Sequence, residues 1–197
     1  MDVCHSHQQH RWSSVRSGIS ADIRRYLTRS KEDIARGESF LRRLSAWLTP
    51  ELQCLTLYRI SHYFHARGWI RLGRLFSSIN FLLYKVRLPA SSCIGPGCRL
   101  SHPAGVVFEG TAGSNLTIFS YAVCISDYHI PDVAGGSPTI GNQVTLGGHA
   151  VLSGNILVGD NVRISPGAVV QVNISDGVTV IADHLVPKLQ RNNDDKQ

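Results

Sequence analysis

The 197-residue sequence lacks several features that would assign it to a membrane, secreted or metal-binding class. It has no uninterrupted run of the roughly 18 apolar residues that a membrane span needs, and it does not open on a secretory signal pattern. Its five cysteines are an odd number, and no two of them form a C-x-x-C pair typical of zinc sites. We therefore expect reduced thiols in a cytoplasmic protein. Charged residues make up only 17% and hydrophobic residues 43%, which excludes disorder for most of the chain.

Charge and glycine are distributed unevenly along the sequence. Residues 1–87 carry 15 Lys and Arg against 6 Asp and Glu, whereas residues 88–197 carry 5 against 8. Of the 18 glycines, 14 follow residue 87. The two halves therefore differ in charge and glycine content, which predicts different structures for them. We predict four segments, which are a disordered N terminus over 1–19, a basic helical region over 20–86, a β domain over 87–187 and a polar tail over 188–197.

The basic half has a helical apolar pattern. Thr49-Pro50 predicts the start of one helix and Gly68 its end, and a further basic amphipathic helix follows. Such a helix can lie on an anionic membrane, but the width of its apolar side favours packing on the second half or on a neighbouring subunit. Nucleic-acid binding is not expected, because no recognised nucleic-acid motif accompanies the charge. The large apolar residues on that side are Trp69, Leu72, Leu75, Phe76, Ile79, Leu82 and Leu83.

The second half contains an internal repeat of six residues. Apolar side chains recur at every sixth position in two phased runs, and this period suits a short strand, a corner and one inward anchor. Three such units close a triangular coil, and stacked coils bury one apolar column. Asn115, Asn142 and Asn161 are expected at corners that need left-handed backbone. The predicted anchors are Leu88, Ile94, Leu100, Val106, Ala112, Ile118 and Cys124, then Ile140, Leu146, Leu152, Val158, Ile164 and Val170.

The repeat loses its phase between Cys124 and Ile140, which predicts a loop that leaves the column there. Polar residues in a loop on a rigid scaffold are a usual place for substrate contacts. An ordinary surface insertion explains the same residues almost as well.

Two segments resemble a known family. The run from Ser92 to Val107 is similar to the I-G-x-G…H-x-x-G-[IV]-V signature of the serine acetyltransferase-like branch of the hexapeptide-repeat acyltransferases. Ser137-Pro138-Thr139-Ile140-Gly141, followed by Gly154-Asn155-Ile156-x-Val158-Gly159, is similar to its second signature. The resemblance implies a mainly β fold, a left-handed parallel β-helix over 87–187 preceded by an α-helical N-terminal region. It also implies acetyl-CoA as acyl donor, no metal, and a homotrimer or a dimer of trimers with active sites between subunits.

The resemblance also implies roles for individual residues. His102 stands at the position of the general base, and neutral imidazole can take the proton of an attacking hydroxyl. Asp127 and His129, in the loop, are second-rank candidates that would orient the base or touch the acceptor. His149 is either solvent-facing or in contact with coenzyme A. Residues on coils that match the pantetheine groove are Gly147, Gly148, Ala150, Pro166 and Gly167, and Arg163 would meet a coenzyme phosphate.

Three departures from the family pattern bear on the acceptor. Arg87-Leu88-Pro89-Ala90 replaces D-I-H-P, Ser101 replaces the Asp before the base, and Gly136-Ser137 replaces an Arg-His pair. Free serine presents an ammonium and a carboxylate, which need charged partners. The expected acceptor is therefore a hydroxyl of a sugar or polysaccharide precursor, as in exopolysaccharide biosynthesis. The basic helices could then hold the enzyme at the inner face of the membrane.

Three alternatives stay open at this point. The first is a serine O-acetyltransferase of cysteine biosynthesis. The second is a zinc enzyme of the γ carbonic anhydrase type, which needs three histidines on one metal, with His102, His129 and His149 as the available set. The third is a non-catalytic β-helix that serves as a scaffold.

Overall fold

The computed structural model describes residues 12–28, 40–126 and 136–182. Four helices come first, and thirteen short strands follow. The helices are α1 (Trp12–Leu27), α2 (Phe40–Trp47), α3 (Pro50–Ala66) and α4 (Ile70–Tyr84). The strands are β1 (Cys93–Ile94), β2 (Arg99–Ser101), β3 (Val107–Phe108), β4 (Thr111–Ala112), β5 (Thr117–Phe119), β6 (Val123–Ile125), β7 (Thr139–Ile140), β8 (Thr145–Leu146), β9 (Val151–Ser153), β10 (Leu157–Val158), β11 (Arg163–Ile164), β12 (Val169–Val170) and β13 (Thr179–Val180).

The helix boundaries follow local sequence signals in part. Thr49 is the N-cap of α3 with proline at the first helical position, and Gly68 has a positive φ of 81° just beyond its end, as predicted. Helix α1 begins earlier than expected, because residues 12–19 are helical rather than disordered. Serine, glycine and arginine interrupt the apolar pattern of α1, so the sequence alone does not predict where the helix begins. Its buried residues Val15, Ile23 and Leu27 show that it is held by packing, and it packs on α3.

The strands form three parallel sheets that the chain visits in turn. Sheet I contains β1, β4, β7 and β10, sheet II contains β2, β5, β8, β11 and β13, and sheet III contains β3, β6, β9 and β12. Five of the ten strand pairs are one coil of 18 residues apart, as in Ile94 beside Ala112 and Leu146 beside Ile164. One coil has 28 residues, because the predicted loop is inserted between β6 and β7. The β domain is thus a three-sided parallel β-helix.

One anchor was placed wrongly by the six-residue period. Sheet III stacks Phe108, not Val106, on Cys124, and Cys124 then lies beside Leu152. Leu100 and Phe108 are eight residues apart, so the turn between β2 and β3 holds two residues more than the period allows. Both Val106 and Phe108 are fully buried, which is why the spacing of apolar residues alone could not choose between them.

The turns from sheet I to sheet II are held together by side chains. The carboxamide oxygen of Asn142 accepts the N–H of Ser114 at 2.9 Å, and Asp160 Oδ1 accepts the N–H of Asn142 at 2.6 Å. Asp176 Oδ1 accepts the N–H of Asp160 at 2.8 Å, which continues the ladder into the last coil. Asn115 and Asn161 take positive φ as predicted, but in the intervening coil it is Gln143, not Asn142, that does so, because Asn142 serves the ladder.

A buried ion pair joins the helices to the β-helix. Asp22 on α1 and Arg59 on α3 are paired at 3.1 Å, with side chains 2% and 11% exposed. Asp22 Oδ1 also accepts the N–H of Cys98 at 2.8 Å, and Arg59 donates to the carbonyl oxygens of Ile94 and Gly95. Although burial alone would lower the pKa of Arg59, the carboxylate of Asp22 raises it. The pair therefore fixes both helices against the first turn of the β-helix.

Among the described cysteines, one is not the reduced thiol that the sequence predicted. Cys54, Cys98 and Cys124 are buried free thiols, and burial raises the pKa of Cys98 and Cys124 to about 12. Cys93 forms a disulfide, so the prediction of five reduced thiols is wrong there. Cysteine spacing carries no information about which thiols the fold brings together.

No helix among residues 12–28 and 40–84 is long and apolar enough to span a bilayer.

The Asp22–Arg59 pair yields a stability prediction. Asp22→Asn should lower the free energy of unfolding by about 3–5 kcal/mol, because it leaves a buried guanidinium without its counter-charge. Urea unfolding followed by circular dichroism measures this loss. The control is Glu109→Gln, which breaks an ion pair at 3.3 Å whose arginine, Arg87, is 63% exposed. That change should cost less than about 1 kcal/mol. Equal losses in the two variants would contradict the assigned role of the buried pair.

Coil stacking yields a second stability prediction. A Cβ atom on Gly147 would lie 2.5 Å from the backbone nitrogen of Pro166, whereas one on Gly148 meets nothing closer than 3.4 Å. Gly147→Ala should therefore lower the melting temperature and cost about 1–3 kcal/mol through overpacking. Gly148→Ala, the matched neighbour, should stay within about 0.5 kcal/mol of wild type. A Gly147→Ala protein as stable as Gly148→Ala would show that the coils can separate to admit a methyl group.

Candidate active site

His102 lies on the longest of the turns that join sheet II to sheet III. We call these turns the II–III edge, formed by residues 102–106, 120–122, 147–150 and 165–168. His102 is exposed and has a φ of 57°, in the left-handed region that non-glycine residues rarely adopt. The two additional residues of this turn carry it outside the apolar column. The imidazole is therefore on the surface, as a catalytic base must be.

The residues predicted to contact the pantetheine arm share this edge. Gly147, Gly148 and Ala150 lie in its third turn, and Pro166 and Gly167 lie in its fourth. Successive coils of parallel strands are about 4.8 Å apart, so the third turn is about 10 Å from the turn of His102 along the column and the fourth about 15 Å. One elongated ligand lying along the edge would pass all of these positions. The structure thus brings together six of the nine predicted site residues.

Arg163 is separated from that group. It lies on the outer face of sheet II and lines a cavity of about 460 Å³ near the opposite, I–II, turns. Arg25 of α1 lines the same cavity and donates to Thr117 Oγ1 at 2.8 Å. Two guanidinium groups in one polar cavity suit an anionic group such as a phosphate. The predicted contact of Arg163 with a coenzyme phosphate stays a prediction.

Asp127 and His129 lie outside the described residues, so their proposed roles stay predictions. Within the described part of the chain no carboxylate pairs with His102. The nearest acid in sequence, Glu109 after β3, is engaged by Arg87 at 3.3 Å and by the hydroxyl of Ser126 at 3.4 Å. Arg87 is the residue that stands in place of the family's aspartate, and here it neutralises a carboxylate rather than supplying one.

An aromatic pair on the II–III edge was missed by the sequence analysis. The rings of Tyr121 and His149 are stacked, with centroids 4.9 Å apart and planes inclined by 8°. Both residues are exposed and have a φ of 58°, in turns whose neighbours are Gly105 and Gly167. Such backbone strain clusters at functional sites. Aromatic residues at corner positions of the repeat, where glycine and asparagine are usual, were the signal that could have identified this pair.

The histidines required by the zinc alternative are not brought together among the described residues. No group of three His, Cys, Asp or Glu side chains in residues 12–28, 40–126 and 136–182 could hold a metal ion. His102 and His149 are separated by the coil that carries Tyr121.

Comparison with known proteins assigns the fold and the family. Residues 137–171 match the bacterial transferase hexapeptide (six repeats) family model. Two serine acetyltransferases from Helicobacter pylori strains are 31% and 30% identical to this chain over an alignment of 143 residues. The matches cover 68% of this chain and 78% of each relative.

Solved structures agree on the architecture. The Neisseria gonorrhoeae serine acetyltransferase in complex with serine matches with a TM-score of 0.73 and 22% identity over 89% of this chain and 69% of its own. Serine acetyltransferase isoform 3 from Entamoeba histolytica, in complex with cysteine, matches with a TM-score of 0.70 and 20% identity over 86% of this chain. This chain spans 59% of the length of that protein. These similarities confirm the predicted left-handed parallel β-helix with an N-terminal helical region. The chain therefore belongs to the serine acetyltransferase-like branch of the hexapeptide-repeat acyltransferases, enzymes that take acetyl-CoA as acyl donor.

Proposed function

We propose that this protein is an O-acetyltransferase in which His102 is the general base and the II–III edge holds acetyl-CoA. The observation that carries the proposal is the exposed, left-handed position of His102 on the same edge as the glycine-rich turns 147–150 and 165–168. Family membership supports the reaction class, and the shared edge of His102 and these turns supports the assignment of base and donor site.

The reaction needs one proton transfer as a tetrahedral intermediate forms and another as it breaks down. His102 takes the proton of the acceptor hydroxyl as the oxygen attacks the thioester carbonyl carbon. The C–S bond then breaks, the sulfur leaves with its electron pair, and the imidazolium of His102 returns the proton to give the free thiol and an O-acetyl ester. A backbone N–H of the edge would stabilise the oxyanion. No residue is consumed, so the base is regenerated in each turnover.

The two glycines of the third turn have different roles in this proposal. Gly147 is buried beneath the next coil, and a side chain there would collide with backbone atoms of Ser165 and Pro166. Gly148 is half-buried, and almost nothing surrounds its Cβ position. Gly148 is therefore the better candidate for close approach of the pantetheine arm, and Gly147 is needed first for stacking.

A homotrimer with active sites between subunits is part of the proposal. A single column leaves large apolar side chains exposed on its last two coils, at 58% for Leu157, 65% for Val169 and 69% for Val172. Exposed apolar side chains of this size are typical of surfaces that pack against another chain.

For the acceptor, serine is better supported than the sugar that the sequence analysis favoured. The sugar expectation is not confirmed, because the relatives at 31% and 30% identity are serine acetyltransferases. A sugar hydroxyl remains a second candidate, and two observations favour it. Arg87 and Glu109 neutralise each other beside the turn of His102, and the exposed Tyr121–His149 rings offer a flat surface.

Removing the base tests the catalytic assignment. His102→Ala should lower kcat/KM by roughly 10²- to 10⁴-fold, because the hydroxyl loses its proton acceptor. Release of free thiol from acetyl-CoA, followed with a thiol reagent, measures the rate. His65→Ala is the control, since His65 lies on α3 and should leave the rate near that of wild type. Wild-type turnover by a folded His102→Ala protein would exclude both the assignment and the proposed mechanism. Absence of thiol release by the wild-type protein itself would favour the scaffold alternative.

The acceptor is tested with purified wild-type protein. L-Serine should stimulate thiol release from acetyl-CoA, and O-acetylserine should be identified by mass spectrometry. L-Alanine, which lacks only the hydroxyl, is the matched control and should give the rate of acetyl-CoA hydrolysis alone. If serine gives no more release than alanine while neutral sugars do, serine is rejected and the sugar candidate replaces it.

A further inference from the structure

Helix α4 has the reverse of the usual distribution of side chains. It directs small and polar residues into the protein, and its two buried residues are Gly73 and Asn80. A Cβ atom on Gly73 would lie 3.0 Å from the carbonyl oxygen of Ser61, and Asn80 Nδ2 donates to the carbonyl oxygen of Cys54 at 3.0 Å. Large apolar side chains of the same helix are between 37% and 69% exposed, namely Ile70, Leu72, Leu75, Phe81, Leu82 and Leu83.

We expected the wide apolar side to pack on the second half of the chain or on a neighbouring subunit, and the first of these is wrong for most of that side. Phe76 does pack, since its ring stacks on Phe64 at 5.5 Å. Leu72, Leu75 and Leu82, by contrast, form an exposed stripe along the helix. A soluble helix normally buries such a stripe. The stripe therefore needs an apolar environment from outside the described chain.

Cations lie along one side of the stripe. At about 100° per residue, Leu72, Leu75, Ile79 and Leu82 fall within one sector of the helix. Arg71 and Arg74 fall in the next sector on one side, Lys85 follows the helix as its left-handed C-cap, and all three are exposed. An apolar sector bordered by cations is the arrangement of helices that lie in a membrane interface.

The charge around α4 favours an anionic partner over a second copy of this chain. No Asp or Glu occurs between Glu51 and Glu109 in the sequence. Other described carboxylates are engaged elsewhere, because Asp22 pairs with Arg59, Glu109 pairs with Arg87, and Asp160 and Asp176 accept backbone N–H groups. Two α4 helices facing each other about a two-fold axis would bring cations together, and α4 itself contains no Asp or Glu to offset them. Anionic lipid headgroups supply those charges, and the acyl region accepts the leucines.

We propose that the exposed face of α4, defined by Leu72, Leu75, Leu82, Arg71, Arg74 and Lys85, docks the protein on an anionic membrane surface. The apolar stripe enters the boundary between headgroups and acyl chains, and the three cations contact the headgroup phosphates. This docking does not depend on which hydroxyl is acetylated. Docking through α4 would hold the II–III edge near the bilayer, where acceptors with a lipid anchor are found.

Co-sedimentation with vesicles tests the proposal on the full-length protein. Wild type should bind vesicles of phosphatidylglycerol and phosphatidylcholine, bind pure phosphatidylcholine vesicles much more weakly, and dissociate as salt is raised. Arg71→Glu with Arg74→Glu should lower the partition coefficient by at least roughly thirty-fold, since each change removes a cation and adds an anion. Leu75→Gln with Leu82→Gln should lower it by about tenfold or more.

Two matched controls separate the face from general effects of charge and hydrophobicity. Arg16→Glu with Arg163→Glu changes the net charge equally at exposed positions on α1 and sheet II, and Ile181→Gln removes an apolar side chain that is 77% exposed after β13. Both should bind vesicles nearly as wild type does. Thiol release in vesicle-free buffer should be unchanged in the α4 variants, which separates this result from any failure of the proposed function.

Three outcomes would overturn the docking proposal. These are no binding of wild type to anionic vesicles, an equal loss in the control variants, or binding that is insensitive to the Leu75 and Leu82 changes. Sedimentation velocity without vesicles tests whether the face is instead covered by a second copy of this chain. If wild type self-associates, the leucine variant dissociates and vesicles do not bind, the face is an interface between copies of this chain.

Discussion

Close stacking of successive coils is the constraint on which the rest of this structure depends. Parallel strands are about 4.8 Å apart, so each turn must fit beneath the next with almost no space between them. At Gly95, Gly141 and Gly147 a Cβ atom would lie between 2.3 and 2.5 Å from an atom of the adjacent coil. The side-chain ladder of Asn142, Asp160 and Asp176 uses the same closeness to satisfy backbone N–H groups. The result is a stiff column that can hold surface groups at fixed heights.

The proposed chemistry depends on a turn where this regularity is relaxed outward. The turn from β2 to β3 contains two additional residues, and it carries His102 onto the surface with left-handed backbone. The next two turns of the same edge have aromatic residues, Tyr121 and His149, in left-handed backbone, where other turns have glycine, asparagine or glutamine. A rigid scaffold makes such local exceptions useful, because the neighbouring coils hold the strained turns in place.

The helical region has two different faces, one packed on the β-helix and one exposed to solvent. Toward the β-helix it is tightly specified, by the Asp22–Arg59 pair and by Tyr58, whose hydroxyl accepts the N–H of Ile94 at 3.0 Å and donates to the carbonyl of Ser92. Toward solvent, α4 exposes Leu75, Leu82, Arg71 and Arg74. Because α4 packs on α3, the inner contacts of α3 also orient α4 relative to the II–III edge. Whatever covers the outer face is therefore held in a defined position relative to His102.

The repeat, the loop insertion after Cys124, the start of α3 at Thr49-Pro50 and the family could all be predicted from the sequence, because each depends on local spacing or on a motif. The sequence also proposed roles for His102 and the glycine-rich turns, and the structure puts these residues on one edge. The choice between Val106 and Phe108 as the anchor needed the three-dimensional structure, because both are apolar and register is set by pairing between coils. The same holds for α1, for the pairing of Arg87 with Glu109, and for the separation of Arg163 from the II–III edge. These features join residues that are distant in the chain, and a one-dimensional pattern contains no information about which distant side chains meet.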